Sequence, residues 1–230
     1  LDLIAKYGAD GLRFGLMRIA PSGQDIRFDE KQIEEGRNFA TKLWNAARLR
    51  RMHGPSERKP ELRETELSIY AIEVLARLSE TIDAVEAAYR EYQFNTVAQR
   101  LYDFVWGDFC DWFVEAAKTD IFGEDETRKQ STLATMDFVL SAVVRLLHPF
   151  MPHLTEELWS LMGFASGDHD FLDFASIPDS ICWAKSRCTT ARTRVDAIYQ
   201  TVEAGRNLRA EARVPSSQKA KFILRSNETW

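Results

Sequence analysis

The sequence is short of the residues that carry most enzyme chemistry. Its three cysteines, Cys110, Cys182 and Cys188, are an odd number with no Cys-x-x-Cys spacing. Neither a disulfide framework nor a zinc signature is written into such a set, and a reduced, cytoplasmic setting is expected. Its four histidines are His53, His148, His153 and His169. The residues three before them are Arg50, Arg145, Phe150 and Ser166, which excludes the Glu-x-x-His pair of a di-iron bundle. His148 and His153 beside Glu156 and Glu157 suggest a metal at first sight. Helix-end hydrogen bonding, with Pro152 opening the next helix, accounts for them better. No glycine-rich phosphate loop, Gly-x-Ser-x-Gly or His-Glu-x-x-His string occurs. No apolar run approaches the roughly 20 residues of a membrane span, and no signal-peptide pattern is visible. The expectation is a piece with no catalytic residues, no metal or other cofactor of its own, and no membrane partner.

What is present is a helical pattern with uneven charge. The 230 residues are 45% hydrophobic, enough for one large domain or a domain with an appendage. The formal net charge of −5 would argue against a polyanionic partner. Its distribution does not. Residues 1–59 carry +4, residues 60–184 carry −15 and residues 185–230 carry +6. Between Arg37 and Lys59 stand seven basic residues and one acid, Glu57. An acidic body with basic ends can confine a polyanion to chosen surfaces, although a basic helix is also simply well solvated.

The periodicity predicts a mainly α fold, an antiparallel helical bundle followed by the start of a small α/β segment. Leu1–Ile19 is helical in spacing, weakened by Gly8 and Gly11, and Pro21-Ser22-Gly23 ends it. Gln24–Phe28 is a connector, and Asp29-x-x-Gln32 resembles a capping box for a helix to about Met52. His53-Gly54-Pro55 stops that helix. Long helices follow at Glu66–Tyr92, at Asn95–Lys118 with Asn95 as N-cap, and at Thr127–His148. Thr155–Met162 is a short one, Phe164–Trp183 an irregular linker lying on the bundle, and Arg187–Arg209 a further helix. Val214-Pro215-Ser216-Ser217 turns, and Lys219–Arg225 alternates as a strand. The expected division is 1–30 a junction, 31–163 the bundle, 164–184 the linker and 185–230 the start of the α/β segment. Both ends read as cut from something longer.

The rest is organised around Gly36–Leu49. Gly36, Ala40, Leu43 and Ala47 share one helical face, which Trp44 widens, so Trp44 is expected in the core beside the Trp112 helix. Asn38, Lys42, Asn45 and Leu49 form a second stripe, bordered by Arg37, Thr41 and Arg48. Amides can read base edges, cations can meet phosphates, and an apolar tip can pack on an unstacked base. The same stripe would also suit an ordinary solvated face.

Several strings in order resemble one family. Tyr7-Gly8-Ala9-Asp10-Gly11-Leu12-Arg13-Phe14 is similar to the segment after the second signature loop of large class I aminoacyl-tRNA synthetases. Gly23-Gln24-Asp25-Ile26-Arg27-Phe28 and Gly36–Arg48 resemble the valyl-tRNA synthetases. So do Tyr102–Trp106, Cys110–Phe113, Leu147–Trp159 and Arg206–Glu211, in the same order along essentially the whole chain. Isoleucyl and leucyl relatives share the architecture. The resemblance implies the anticodon-binding bundle, with the first bundle helix facing the anticodon loop. The implied tRNA contacts are Arg37, Asn38, Lys42, Asn45, Arg48, Leu49, Arg206 and Arg209. It also implies tRNA(Val) as partner, a monomer, and ATP and magnesium used only in a catalytic domain outside this piece. Leu49 stands where the family pattern usually has Phe, and Gly11 where it usually has Ala. The alternatives are a structural or protein-interaction bundle without RNA binding, or the equivalent module of an isoleucyl or leucyl relative.

Overall fold

The structure, a computed structural model, describes residues 1–20, 28–58, 60–167, 170–215 and 218–223, with the backbone alone at 182 and 185–187. The expected turns at Pro21–Gly23 and Ser216–Ser217, most of the connector, His169 and the last two residues of the expected strand lie outside the described residues. The helices are α1 (Asp2–Tyr7), α2 (Ala9–Ile19), α3 (Glu30–Arg51), α4 (Ile69–Arg90), α5 (Phe94–Asp103), α6 (Val114–Ile121), α7 (Glu126–Leu147), α8 (Pro152–Leu161) and α9 (Cys182–Glu211). They form a helical bundle. α4 lies at its centre against α5, α7 and α9.

Local chemistry sets most of the boundaries. Gly8 sits at φ 77°, a conformation open to glycine, and divides the first helical stretch into α1 and α2. The Asp29 carboxylate caps α3, though it accepts from the Lys31 amide and no reciprocal bond from Gln32 closes a box. Ser68 caps α4 and Asp125 caps α7 through their side chains. Pro152 begins α8, where its missing N–H costs nothing. α7 is long and apolar enough to cross a membrane by composition, but 72% of its most apolar stretch is buried in the bundle.

Backbone meets backbone where α2 crosses α3. A Cβ at Gly36 would lie 2.3 Å from the Gly11 carbonyl oxygen, and one at Gly15 would lie 2.6 Å from the Gln32 carbonyl oxygen. This closeness lets Phe14 stack on Phe39 at 4.6 Å between ring centroids. The stack continues outward through Tyr102 and Trp106 on α5 and the segment after it.

Two polar devices tie distant segments together. Asp10 accepts from the amides of His153 and Leu154, the latter at 2.6 Å, and so caps α8 from α2. Arg13, one turn on, donates to the Pro149 and Phe150 carbonyls. Deep in the bundle, Arg50 pairs with Asp137 at 2.7 Å, with side chains 4% and 0% exposed. Arg50 also donates to the carbonyls of Leu133, Gly54 and Pro55, and Asp137 accepts from the Glu57 amide. That arrangement locks the loop after α3 onto α7.

Four expectations need correction. The helix expected from Asn95 starts at Phe94, with Gln93 before it, so Asn95 lies inside the helix. It is not continuously α: Phe104–Phe113 is wound as a π-helix, closed by a Val114 N–H to Phe109 carbonyl bond five residues back. The irregular stretch is shorter than expected, because α9 begins at Cys182. Residues 218–223 form no strand, and among the described residues there is none. Phe222 instead lies against α9 at Gly205.

Candidate nucleic-acid interface

The orientation of α3 decides which of its side chains can meet a ligand. Its buried residues are Ile33, Gly36, Phe39, Leu43, Ala46, Ala47 and Arg50. That face is turned toward Phe39, Ala46 and Arg50 relative to the stripe of small residues read from the sequence. The turn has two consequences. Trp44, expected in the core, is exposed at 36%. Lys42 and Leu49, expected to be free, lie at the edge where α3 meets its neighbours.

Lys42 is engaged. Its Nζ is 2.5 Å from Asp111 Oδ1 and 3.8 Å from the centroid of the Trp106 ring, with 22% of the side chain exposed. Cation–π contact and ion pair together make it a clasp between α3 and the π-helical segment. Beside that clasp the Cys110 thiol is pushed up to about 12 by burial. Leu49 is half-buried and packs against the core.

The remaining α3 positions differ in freedom. Asn38, Asn45 and Arg48 are exposed. Arg37 is half-buried; it donates to Glu34 and Asn38, and its guanidinium lies 5.4 Å from the Tyr7 ring centroid. Among the described residues neither the Arg48 nor the Arg51 side chain has a hydrogen-bond or ion-pair partner. The exposed cations of α3 therefore concentrate in its C-terminal half.

Arg206 and Arg209 are on α9, whose main packing partner is α4 and not α3. Arg77 on α4 bridges Glu73, Asp108 and Asp196, and Arg192 on α9 joins Glu73 and Glu80. Tyr199 stacks on Trp112 at 4.0 Å. Arg206 is exposed, 5.3 Å from the Trp112 ring centroid. Arg209 donates to the Pro215 and Gln218 carbonyls and holds the turn after α9. The expected contacts thus fall on two helices, α3 and α9, with Arg206 beside Trp112 and Lys42 beside the neighbouring Asp111, and Arg209 has a structural task.

His148 Nδ1 is 2.8 Å from Thr155 Oγ1, and Glu156 accepts from the Leu172 amide. Among the described residues no group of three His, Cys, Asp or Glu is placed to hold a metal ion.

A family profile described as the anticodon-binding domain of tRNA ligase matches residues 72–224. The chain belongs to this family. The match begins inside α4, and similarity to whole relatives carries it through α3. Valine–tRNA ligase of Bacillus licheniformis is 37% identical over 229 residues, covering 99% of this chain. Those of Listeria monocytogenes and Bacillus subtilis are each 36% identical, over 232 and 229 residues, covering 100% and 99% of this chain. This anticodon-binding domain chain spans about a quarter of the length of those relatives, 25% of the first. A crystal structure of an Agrobacterium radiobacter K84 agnB2 LeuRS in a ternary complex with tRNA and LeuAMS superposes with TM-score 0.58 at 18% identity. That likeness covers 80% of this chain and 21% of the other, and shows the shared helical fold.

The geometry also explains why the recognised strings occur together. Tyr7–Phe14 supplies Asp10 and Arg13, and Leu147–Trp159 supplies the corner they grip. Tyr102–Trp106 and Cys110–Phe113 supply the rings and Asp111 that position Lys42. Sequence reasoning missed the outward face of Trp44 and the partners of Lys42. The signal was available only in part, because Phe39, Ala46 and Arg50 could mark the buried face once Arg50 was known to have a buried acid.

Proposed function

We propose that this chain is the anticodon-end tRNA-binding module of a valine–tRNA ligase. It holds tRNA(Val) while ATP- and magnesium-dependent aminoacylation is carried out by a catalytic part outside this chain, in a monomeric cytoplasmic enzyme. The observation that carries the reading is an α3 face with exposed amides and unpartnered arginines, within a chain aligned end to end with valine–tRNA ligases. Asn38 and Asn45 offer paired donors and acceptors to base edges, and Arg48 offers a guanidinium to a phosphate. Lys42 reaches a phosphate only by leaving Asp111, so the acid sets a threshold that a polyanion must overcome. Leu49 supports the helix from its packed edge, with no ring to stack. Arg37 orders the N-terminal end of the stripe, and Arg206 adds charge from α9.

The test is the salt dependence of binding to a tRNA(Val) transcript by this 230-residue chain. Release of counterions requires affinity to fall steeply with salt. Arg48→Ala is expected to weaken binding and to reduce the log–log slope by about 0.7–0.9, the share of one phosphate contact. No measurable binding, or a slope near zero, would overturn the proposal in favour of a protein-interaction bundle.

A further inference from the structure

The proposed contacts leave Trp44 without a task. Trp106 is held between Tyr102 and Lys42, Trp112 between Tyr199 and Arg206, and Trp159 donates to the Asp170 carbonyl beside Phe164. Trp44, at 36% exposed, has no ring, cation or hydrogen-bond partner among the described residues. A single exposed ring is ordinary on a protein surface, but this one, 36% exposed, shares its helix face with arginines.

Its neighbours on the helix are specific. Arg37, Thr41, Trp44, Arg48 and Arg51 follow one another at spacings of four and three residues, so they occupy one face. Arg48 and Arg51 lie about 6 and 10 Å from Trp44 along the helix axis at 1.5 Å per residue. Both are free of acidic partners among the described residues. Lys42, one row away, is neutralised by Asp111, and Leu49 is tucked against the core. The face with both an available ring and available cations is therefore the Trp44 face.

We propose that Trp44 is a stacking platform for one unpaired base of an RNA loop, with Arg48 and Arg51 taking the phosphates beside it. This rests on the anticodon-end reading and goes further by naming the surface and the kind of nucleotide it takes. Every base has a π face, so the platform positions a splayed nucleotide without choosing among bases. Choice falls to the amides of Asn38 and Asn45 on the adjoining row. A duplex offers no free base face and is not a ligand for the ring.

The test uses two labelled RNAs: a hairpin carrying the anticodon loop of tRNA(Val), and a blunt duplex of the same stem. Trp44→Ala is expected to weaken hairpin binding roughly 5- to 150-fold, the range that loss of one base–aromatic stack gives. The salt slope should stay at the parental value, and duplex binding should not change. Trp44→Phe should retain most of the affinity. In the unaltered protein, one abasic position in the loop should reproduce the loss, and at that position Trp44→Ala should cost nothing more. If Trp44→Ala folds poorly, Trp44→Leu, apolar but without a π face, replaces it and should show the same loss at the same loop position. If the parent prefers the hairpin but Trp44→Ala equals it, the Trp44 inference falls alone. An equal loss on hairpin and duplex also refutes it. If the parent shows no preference for the hairpin, the anticodon-end reading falls and takes this inference with it.

Discussion

Gly36→Ala should destabilise the chain, although on an isolated helix it would do the opposite. Alanine is favoured over glycine by about 1 kcal/mol in a helix interior. At Gly36 the new methyl would meet the Gly11 carbonyl oxygen at 2.3 Å and the Gly15 amide nitrogen at 3.1 Å. Both contacts are backbone, so no side chain can swing aside. Restoring ordinary contact near 3.5 Å needs α2 and α3 to part by about 1 Å. That movement would loosen the Phe14–Phe39 stack, now at 4.6 Å. Overpacking costs about 1–3 kcal/mol, and two backbone contacts put this case at the upper end, about 3 kcal/mol, leaving a net loss of about 2 kcal/mol after the helix gain. Gly107→Ala is the control, because nothing lies within 4 Å of a Cβ there. It should be neutral or stabilising by up to about 1 kcal/mol. Urea unfolding followed by far-UV circular dichroism measures both. A midpoint for Gly36→Ala at or above the parent's would refute the backbone-on-backbone crossing.

Asp137→Ala leaves the Arg50 guanidinium buried without its acid and should cost about 3–5 kcal/mol in the same urea assay. The double variant Arg50→Met, Asp137→Leu should recover much of that loss, and a double variant no more stable than Asp137→Ala would contradict the pairing. With its thiol pushed up to about 12, Cys110 should be nearly free of thiolate at pH 8. In a chain carrying Cys182→Ser and Cys188→Ser, labelling by a thiol reagent should be about 1000-fold slower folded than in urea; rates within tenfold of each other would mean the thiol is accessible and ordinary.

Helix existence was legible in the sequence because apolar residues recur at the right period over long stretches. Their rotation was less so. On α3 the expected face was right at Gly36, Leu43 and Ala47, but the real one extends toward Phe39, Ala46 and Arg50 and not toward Trp44, a turn of well under one residue step. Glycine and alanine mark close approach but contribute little burial, whereas Phe39 and Leu43 carry the packing. The decisive residue was Arg50, which by type belongs on the surface and is buried only because Asp137, far along the chain, receives it. The π-helical segment was not legible because an aromatic-rich run fits α and π winding alike. Of the proposed contacts, Asn38, Asn45 and Arg48 are exposed as expected. Lys42 and Leu49 are turned inward by the same rotation that exposes Trp44.

The proposed grip on tRNA(Val) is at its anticodon end and runs through α3. Hydroxyl-radical footprinting of a tRNA(Val) transcript bound to the chain tests it most directly. Protection confined to the anticodon loop and the adjoining stem, lost with Arg48→Ala, is the expected result. Protection centred on the acceptor end, or a footprint that Arg48→Ala leaves intact, would contradict it.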